Sequence, residues 1–192
     1  MRTTWKKLGL VMLCVTIATI SWANSEHKDT EDIQKFTKDA SLENGKQIYL
    51  SGQNINGQRI PFEKGPHWMS MHGGSCVTCH GEQGKGGSSP MMCRRKAPAI
   101  TYKALAGEEH GHEEGEPQED TDEHGHEPYT ISSLHKVLEE GINPAGKKLD
   151  SCMPRWKLSD EDFRDLVAYL MDLDELSDEQ AHDEEKHSEP HQ

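Results

Sequence analysis

Apolar residues recur at helical spacing in three stretches of this chain. Ser41 is placed to cap a first helix running through Tyr49, which offers Leu42, Ile48 and Tyr49 to a core and Gly45 for close approach. Thr130 is placed to cap a second, where Ile131, Leu134, Val137 and Leu138 recur three and four apart until Gly141 and Pro144 end it. The third is the most regular: Phe163, Leu166, Val167, Leu170 and Leu173 form one stripe. Ser159 with Asp162 three residues on resembles a capping box, and Asp160 and Glu161 suit the positive end of the helix dipole. No convincing run of alternating strand residues occurs, although Asn56-Gly57 between Ile55 and Ile60 fits a single hairpin. The pattern predicts an all-α fold class.

A fourth apolar stretch is of another kind. Arg2, Lys6 and Lys7 precede the run from Leu8 to Ile20, and Ser21-Trp22-Ala23 places small residues at the −3 and −1 positions of a cleavage site. The run is too short to cross a bilayer comfortably. Residues 1–23 therefore read as a signal peptide for export to the periplasm, the alternative being an uncleaved N-terminal membrane anchor. Cys14 follows Val-Met-Leu and so lacks the small residues of a lipoprotein box.

Composition changes the picture of the remainder. The 192 residues are 32% hydrophobic and 29% charged, with a formal net charge of −13, so a uniformly packed globule is not expected. The acid is localised. A polar leader spans 24–40, residues 107–128 hold ten acids and four histidines with no Lys or Arg, and 174–192 hold eight acids and one lysine. The loop and the tail read as disordered, and the intervening 41–173 form the domain, slightly basic in balance once the 107–128 loop is set aside. A nucleic-acid binder, which needs clustered cations, is excluded, and so is a polytopic membrane protein.

The chemistry lies in Cys76-Val77-Thr78-Cys79-His80, the C-x-x-C-H signature of c-type haem attachment. Two thiols at this spacing can add to the two vinyl groups on one porphyrin edge, and the adjoining imidazole can reach the iron. A redox disulfide would want a βαβ surround, and a four-cysteine zinc site a second C-x-x-C. Neither is present, since Cys93 and Cys152 are far apart in sequence.

With that motif in place, residues 41–173 resemble a class I monohaem cytochrome c of the bacterial, exported kind. Glu43-Asn44-Gly45-Lys46-Gln47-Ile48-Tyr49 is similar to the family's N-terminal helix. Cys79-His80-Gly81 with Gly84, Gly86 and Gly87 is similar to the turn after the haem motif. Met153-Pro154-Arg155-Trp156 running into Leu158-Ser159-Asp160-Glu161-Asp162 resembles the distal loop and the C-terminal helix. The resemblance implies N- and C-terminal helices that cross, packed around one covalent haem c, with long loop insertions. It implies His80 as proximal ligand, Met153 as distal ligand, Pro98 as the carbonyl acceptor of the histidine N–H, and Trp156 beside the cofactor. Pro154 supports Met153 by forcing the preceding residue toward extended backbone. The other candidates, Met69, Met71, Met91 and Met92, read as packing in the haem pocket, and Met171 as core.

Two departures carry further expectations. The 50–75 insert contains His67-Trp68-Met69-Ser70-Met71-His72, an elaborated loop whose thioethers and imidazoles are also of the type that holds Cu(I). The 107–128 loop carries His110-Gly111-His112 and His124-Gly125-His126, and the tail His182, His187 and His191; weak metal binding is the alternative to a solvated chain. Cys93 and Cys152 are left over as an even pair in an oxidising compartment, which predicts a disulfide, the alternatives being two free thiols or a soft-metal site with the Met cluster.

The function expected is one-electron transfer by a periplasmic carrier or the haem subunit of a respiratory complex, not enzymatic catalysis. The partners are redox proteins, with Arg94-Arg95-Lys96 and Lys103 as a docking patch for an acidic one. The alternatives are a metal-handling or redox-sensing protein, and a ligand-binding haem enzyme whose distal Met153 is labile.

Overall fold

The structure, a computed structural model, describes residues 32–89, 93, 95–107 and 127–187, with side chains described as far as Asp174. The signal peptide, most of the acidic loop with both His-Gly-His units, Met91, Met92, Arg94 and His191 lie outside the described residues. The chain divides into two units after Lys38. In the first, residues 32–37 are helical (α1), and the Thr37 hydroxyl donates to the Ile33 carbonyl at 3.0 Å.

The second unit carries α2 (Leu42–Ser51), β1 (Phe62–Glu63), α3 (His67–His72), α4 (Val77–His80), α5 (Tyr102–Ala106), α6 (Ile131–Glu139), β2 (Arg155–Trp156) and α7 (Asp160–His187). The three helices foreseen from periodicity begin where their caps were foreseen. The Ser41 side chain accepts from Asn44 N, Thr130 and Ser133 form a reciprocal capping box, and Ser159 Oγ accepts from Asp162 N at 3.1 Å. Helix α2 runs two residues beyond Tyr49 and closes at Gly52, whose φ of 68° is the left-handed form that glycine takes without penalty.

The core centres on the packing of α2 against α7. Phe163, Leu166, Val167, Leu170 and Leu173 are all buried, and so are Ile48 and Tyr49. A polar clasp fixes the register. Asp165, 1% exposed, accepts from Ser41 N (2.8 Å) and from Asn44 Nδ2 (2.8 Å), and Asp162 accepts from the same amide at 3.1 Å. Asn44 Oδ1 in turn accepts from Ile55 N at 2.7 Å, so a single buried amide ties the helix pair to the start of the insert.

Three features depart from the sequence expectations. Helix α7 continues to His187 although the acidic composition after Leu173 suggested a disordered tail; that stretch holds no Gly or Pro before Pro190, and Glu, Leu, Gln, Ala and Lys are good helix formers. The 50–75 insert is an ordered piece with its own helix, α3. The antiparallel pair β1–β2, Phe62 opposite Trp156 and Glu63 opposite Arg155, had no forewarning, because two-residue strands are too short to show a period. The foreseen hairpin reduces to a turn at 54–58 with one bridge, Gln53 to Arg59. In it Asn54 Oδ1 accepts from Asn56 N and Gln58 N, and Gly57 has φ 74°.

Candidate haem site

Helix α4 is one turn long, and its brevity is useful. Cys76, Cys79 and His80 stand three and four residues apart, so their side chains share one side of the turn. Backbone bonds from His80 N to Cys76 O (2.9 Å) and from Gly81 N to Val77 O (2.9 Å) close it, and Ser75 and Thr78 hydroxyls pair at 2.9 Å on its flank. The two cysteines are free thiols. Burial pushes Cys76 up to about 12 and raises Cys79 as well.

His80 is 5% exposed, and burial lowers its pKa while the bond to Pro98 opposes that shift. The ring is thus a neutral imidazole. Nδ1 donates to the Pro98 carbonyl at 2.8 Å, which fixes the tautomer and leaves the Nε2 lone pair with no hydrogen bond to any described residue.

The Pro98 carbonyl is itself held in place. Segments 84–88 and 97–100 run side by side through Gly87 N to Ala97 O (2.8 Å), Ala97 N to Ser88 O (2.8 Å) and Ile100 N to Gly84 O (2.7 Å). Gly86 makes the close approach possible: a Cβ there would meet Ala97 O at 2.4 Å and Pro98 O at 2.5 Å. From the other side Tyr49, fully buried, donates its hydroxyl to Gly81 O at 2.6 Å and fastens α2 to the turn.

Met153 is half-buried in the loop between α6 and β2. That loop is tied to the insert by Gly65 N to Ser151 O (2.8 Å) and Lys157 N to Pro61 O (2.8 Å), besides the β1–β2 pair. Trp156, 4% exposed, packs on Phe62 with ring centroids 5.1 Å apart. Arg155, also buried, turns its guanidinium back on the loop and donates to the carbonyls of Met153, Leu149 and Asp150. Sequence reasoning quoted Gly86 and Arg155 inside motifs but gave neither a role; nothing in a residue order says which carbonyls a guanidinium will reach. Cys152, just before Met153, is bonded to Cys93, with Cα atoms 6.0 Å apart. This links the Met153 loop covalently to the segment that leads to Pro98.

Helix α3 splits the His/Met cluster. Met69 is 1% exposed, against Gly74 and beside Gly65 and Pro154, whereas Met71 is 69% exposed and His67 and His72 are exposed too. Among the described residues no three His, Cys, Asp or Glu side chains converge as a metal ion requires. Cys76, Cys79 and His80 accordingly suit a flat ring bonded at its edge and centre better than a tetrahedral ion.

Two unpaired thiols and a neutral imidazole with one nitrogen tied back fit the donors that a covalently bound haem would need. The chain belongs to the cytochrome c family: the family model described as Cytochrome c matches residues 42–174. No match was found among curated proteins or among solved structures. Membership makes this a c-type cytochrome domain of class I character, whose covalent haem c serves electron transfer, in a family usually found outside the cytoplasm. No helix among the described residues is long and apolar enough to cross a membrane.

Proposed function

We propose that the chain is an exported, periplasmic one-electron carrier, working alone or as the haem subunit of a respiratory complex. One haem c is held through Cys76 and Cys79, with His80 as proximal and Met153 as distal ligand. The observation that carries this reading is the 2.8 Å bond from His80 Nδ1 to Pro98 O, which aims a neutral imidazole and raises its basicity. When bound, the haem iron supplies a reversible Fe(III)/Fe(II) couple: one electron arrives from a reduced donor protein and leaves to an oxidised acceptor.

The residues around it keep that exchange simple. His80 and Met153 together would hold the haem iron and leave it no open position for a substrate. The Met153 loop is pinned by a disulfide, a two-residue ribbon and a buried arginine, which resists ligand loss between oxidation states. Trp156 and Phe62 form an apolar wall under that loop. A copper-handling role draws no support from α3, since Met69 is turned inward from its neighbours.

Intact mass of the exported protein, with ferric and ferrous absorption spectra, tests the reading. The expected result is a mass gain of a single haem, low-spin spectra, and the far-red ferric band of a thioether on iron. A high-spin ferric form, or a low-spin form without that band, would overturn the Met153 assignment.

A further inference from the structure

Arg155 is a buried cation in an unusual setting. It is 9% exposed, its backbone is fixed opposite Glu63 in the β1–β2 pair, and its guanidinium points back across the loop that precedes it. Nη1 donates to Met153 O, and Nη2 to Leu149 O (3.1 Å) and Asp150 O (3.3 Å). The carboxylate that acts on it through space is Asp150, which holds its pKa up against the burial that lowers it. Space for the group is provided by Gly141, just past the end of α6, where a Cβ would stand 2.0 Å from guanidinium atoms. One strand, one helix terminus and one loop are thus fitted around a single side chain.

Burial works against this charge and the Asp150 carboxylate, beyond ion-pair distance, partly supports it; burying a charge is costly even so, and a neutral amide would bond a loop carbonyl at less expense. The arginine offers what the amide does not. Its fork spans several carbonyls at once, and it remains positive at every accessible pH. The carbonyl of Met153 itself is one of its acceptors, so the charge lies one hydrogen bond from the main chain of the proposed distal ligand.

We propose that Arg155 is the positioning residue of the Met153 loop and that its buried charge raises the reduction potential of the haem. The inference rests on the reading of Met153 as distal ligand. The ferric centre carries one more positive charge than the ferrous, so a cation held near it in a poorly polarisable setting favours the reduced form. Positioning and charge are separable, because lysine keeps the second while losing most of the first.

The test uses the haem-loaded full chain with Arg155→Gln and Arg155→Lys, read by redox titration and by the rate at which imidazole displaces the sixth ligand of the ferric protein. Arg155→Gln is expected to lower the potential and to speed displacement roughly tenfold or more, the scale of losing charged hydrogen bonds. Arg155→Lys is expected to keep a potential near that of the wild type while still exchanging faster, a split that a merely structural role would not produce. If Arg155→Gln fails to fold, the lysine variant alone decides. Wild-type potential and exchange rate in the glutamine variant would overturn the proposal, as would a lysine variant whose potential drops while its exchange rate holds. Absence of the thioether–iron band from the wild type would instead sink the Met153 reading, and this inference with it.

Discussion

Gly45 of α2 faces the carbonyl of Asp165 on α7 so closely that a Cβ at Gly45 would lie 2.0 Å from that oxygen and 2.9 Å from Tyr169 Cβ. The contact is with backbone, so the helices themselves would have to part. Their separation also positions Tyr49, whose ring lies 5.4 Å from Tyr169 and whose hydroxyl holds Gly81 beside His80. Gly45→Ala is therefore expected to destabilise the protein by about 3 kcal/mol, the upper range for overpacking. Gly57→Ala, with open space around it and only its φ of 74° against it, should cost about 1 kcal/mol. Urea unfolding of both variants checks the ordering, and equal costs would refute the account.

Gly86 and Gly87 make a matched pair for the proximal side. Both have positive φ, 71° and 83°, so alanine is strained at either, but only at Gly86 would the new methyl displace the Pro98 carbonyl. Losing that acceptor makes the His80 imidazole less basic and a poorer donor to ferric iron. Gly86→Ala is expected to raise the reduction potential, while Gly87→Ala leaves it near that of the wild type. The direction is opposite to that expected for Arg155→Gln. A fall in potential for Gly86→Ala would contradict the role given to Pro98.

The Cys93–Cys152 bond closes a loop of sequence separation 59. Chain-entropy arguments give such a staple at most about 4 kcal/mol. Its place next to Met153 gives it a second effect, because the loop ahead of the ligand gains freedom when it is cut. The double variant Cys93→Ser/Cys152→Ser should unfold at lower urea and let imidazole displace the sixth ligand faster. Alkylation of the native haem protein without reductant should label neither residue, and quantitative labelling of both would remove the bridge from the argument.

Burial pushes the phenols of Tyr49, Tyr129 and Tyr169 up, and Tyr49 farthest. A group whose folded-state pKa exceeds its unfolded value contributes stability that is complete below the unfolded value, near 10, and is lost as pH rises past it. Urea midpoints should hold to about pH 9 and then fall. Tyr49→Phe should start lower, by about 1–2 kcal/mol, because Gly81 O loses its donor, and then decline less steeply. A slope equal to that of the wild type would show that Tyr49 does not govern the alkaline limit.

Much of this was legible in the order of residues, for identifiable reasons. The three main helices announce themselves because each buries one stripe and starts at a side-chain cap, as Ser41, Thr130 and Ser159 do. The attachment turn is legible because its chemistry demands adjacency. What was hidden depends on contacts between segments distant in sequence: Phe62 opposite Trp156, Gly86 under Pro98, and the Arg155 fork on three carbonyls. Composition misled at residues 174–187, where a scarcity of apolar residues suggested disorder and helix propensity prevailed.

The same distinction between composition and placement bears on partner choice. The chain carries −13 overall, which repels an acidic partner at a distance, yet Arg95 and Lys96 are exposed on the segment that the Cys93–Cys152 bond holds against the Met153 loop. An acidic redox partner steered to that segment would meet the chain beside the Met153 loop. Lys96→Glu should then slow electron transfer with such a partner on the order of tenfold at low ionic strength, and the difference should vanish as salt screens it. Lys46→Glu on α2, also exposed, makes the same change in net charge and should have a much smaller effect. Stopped-flow rates over a salt series discriminate between the two. Equal slowing by both variants would mean that net charge alone acts, and no slowing by Lys96→Glu would move the docking face elsewhere.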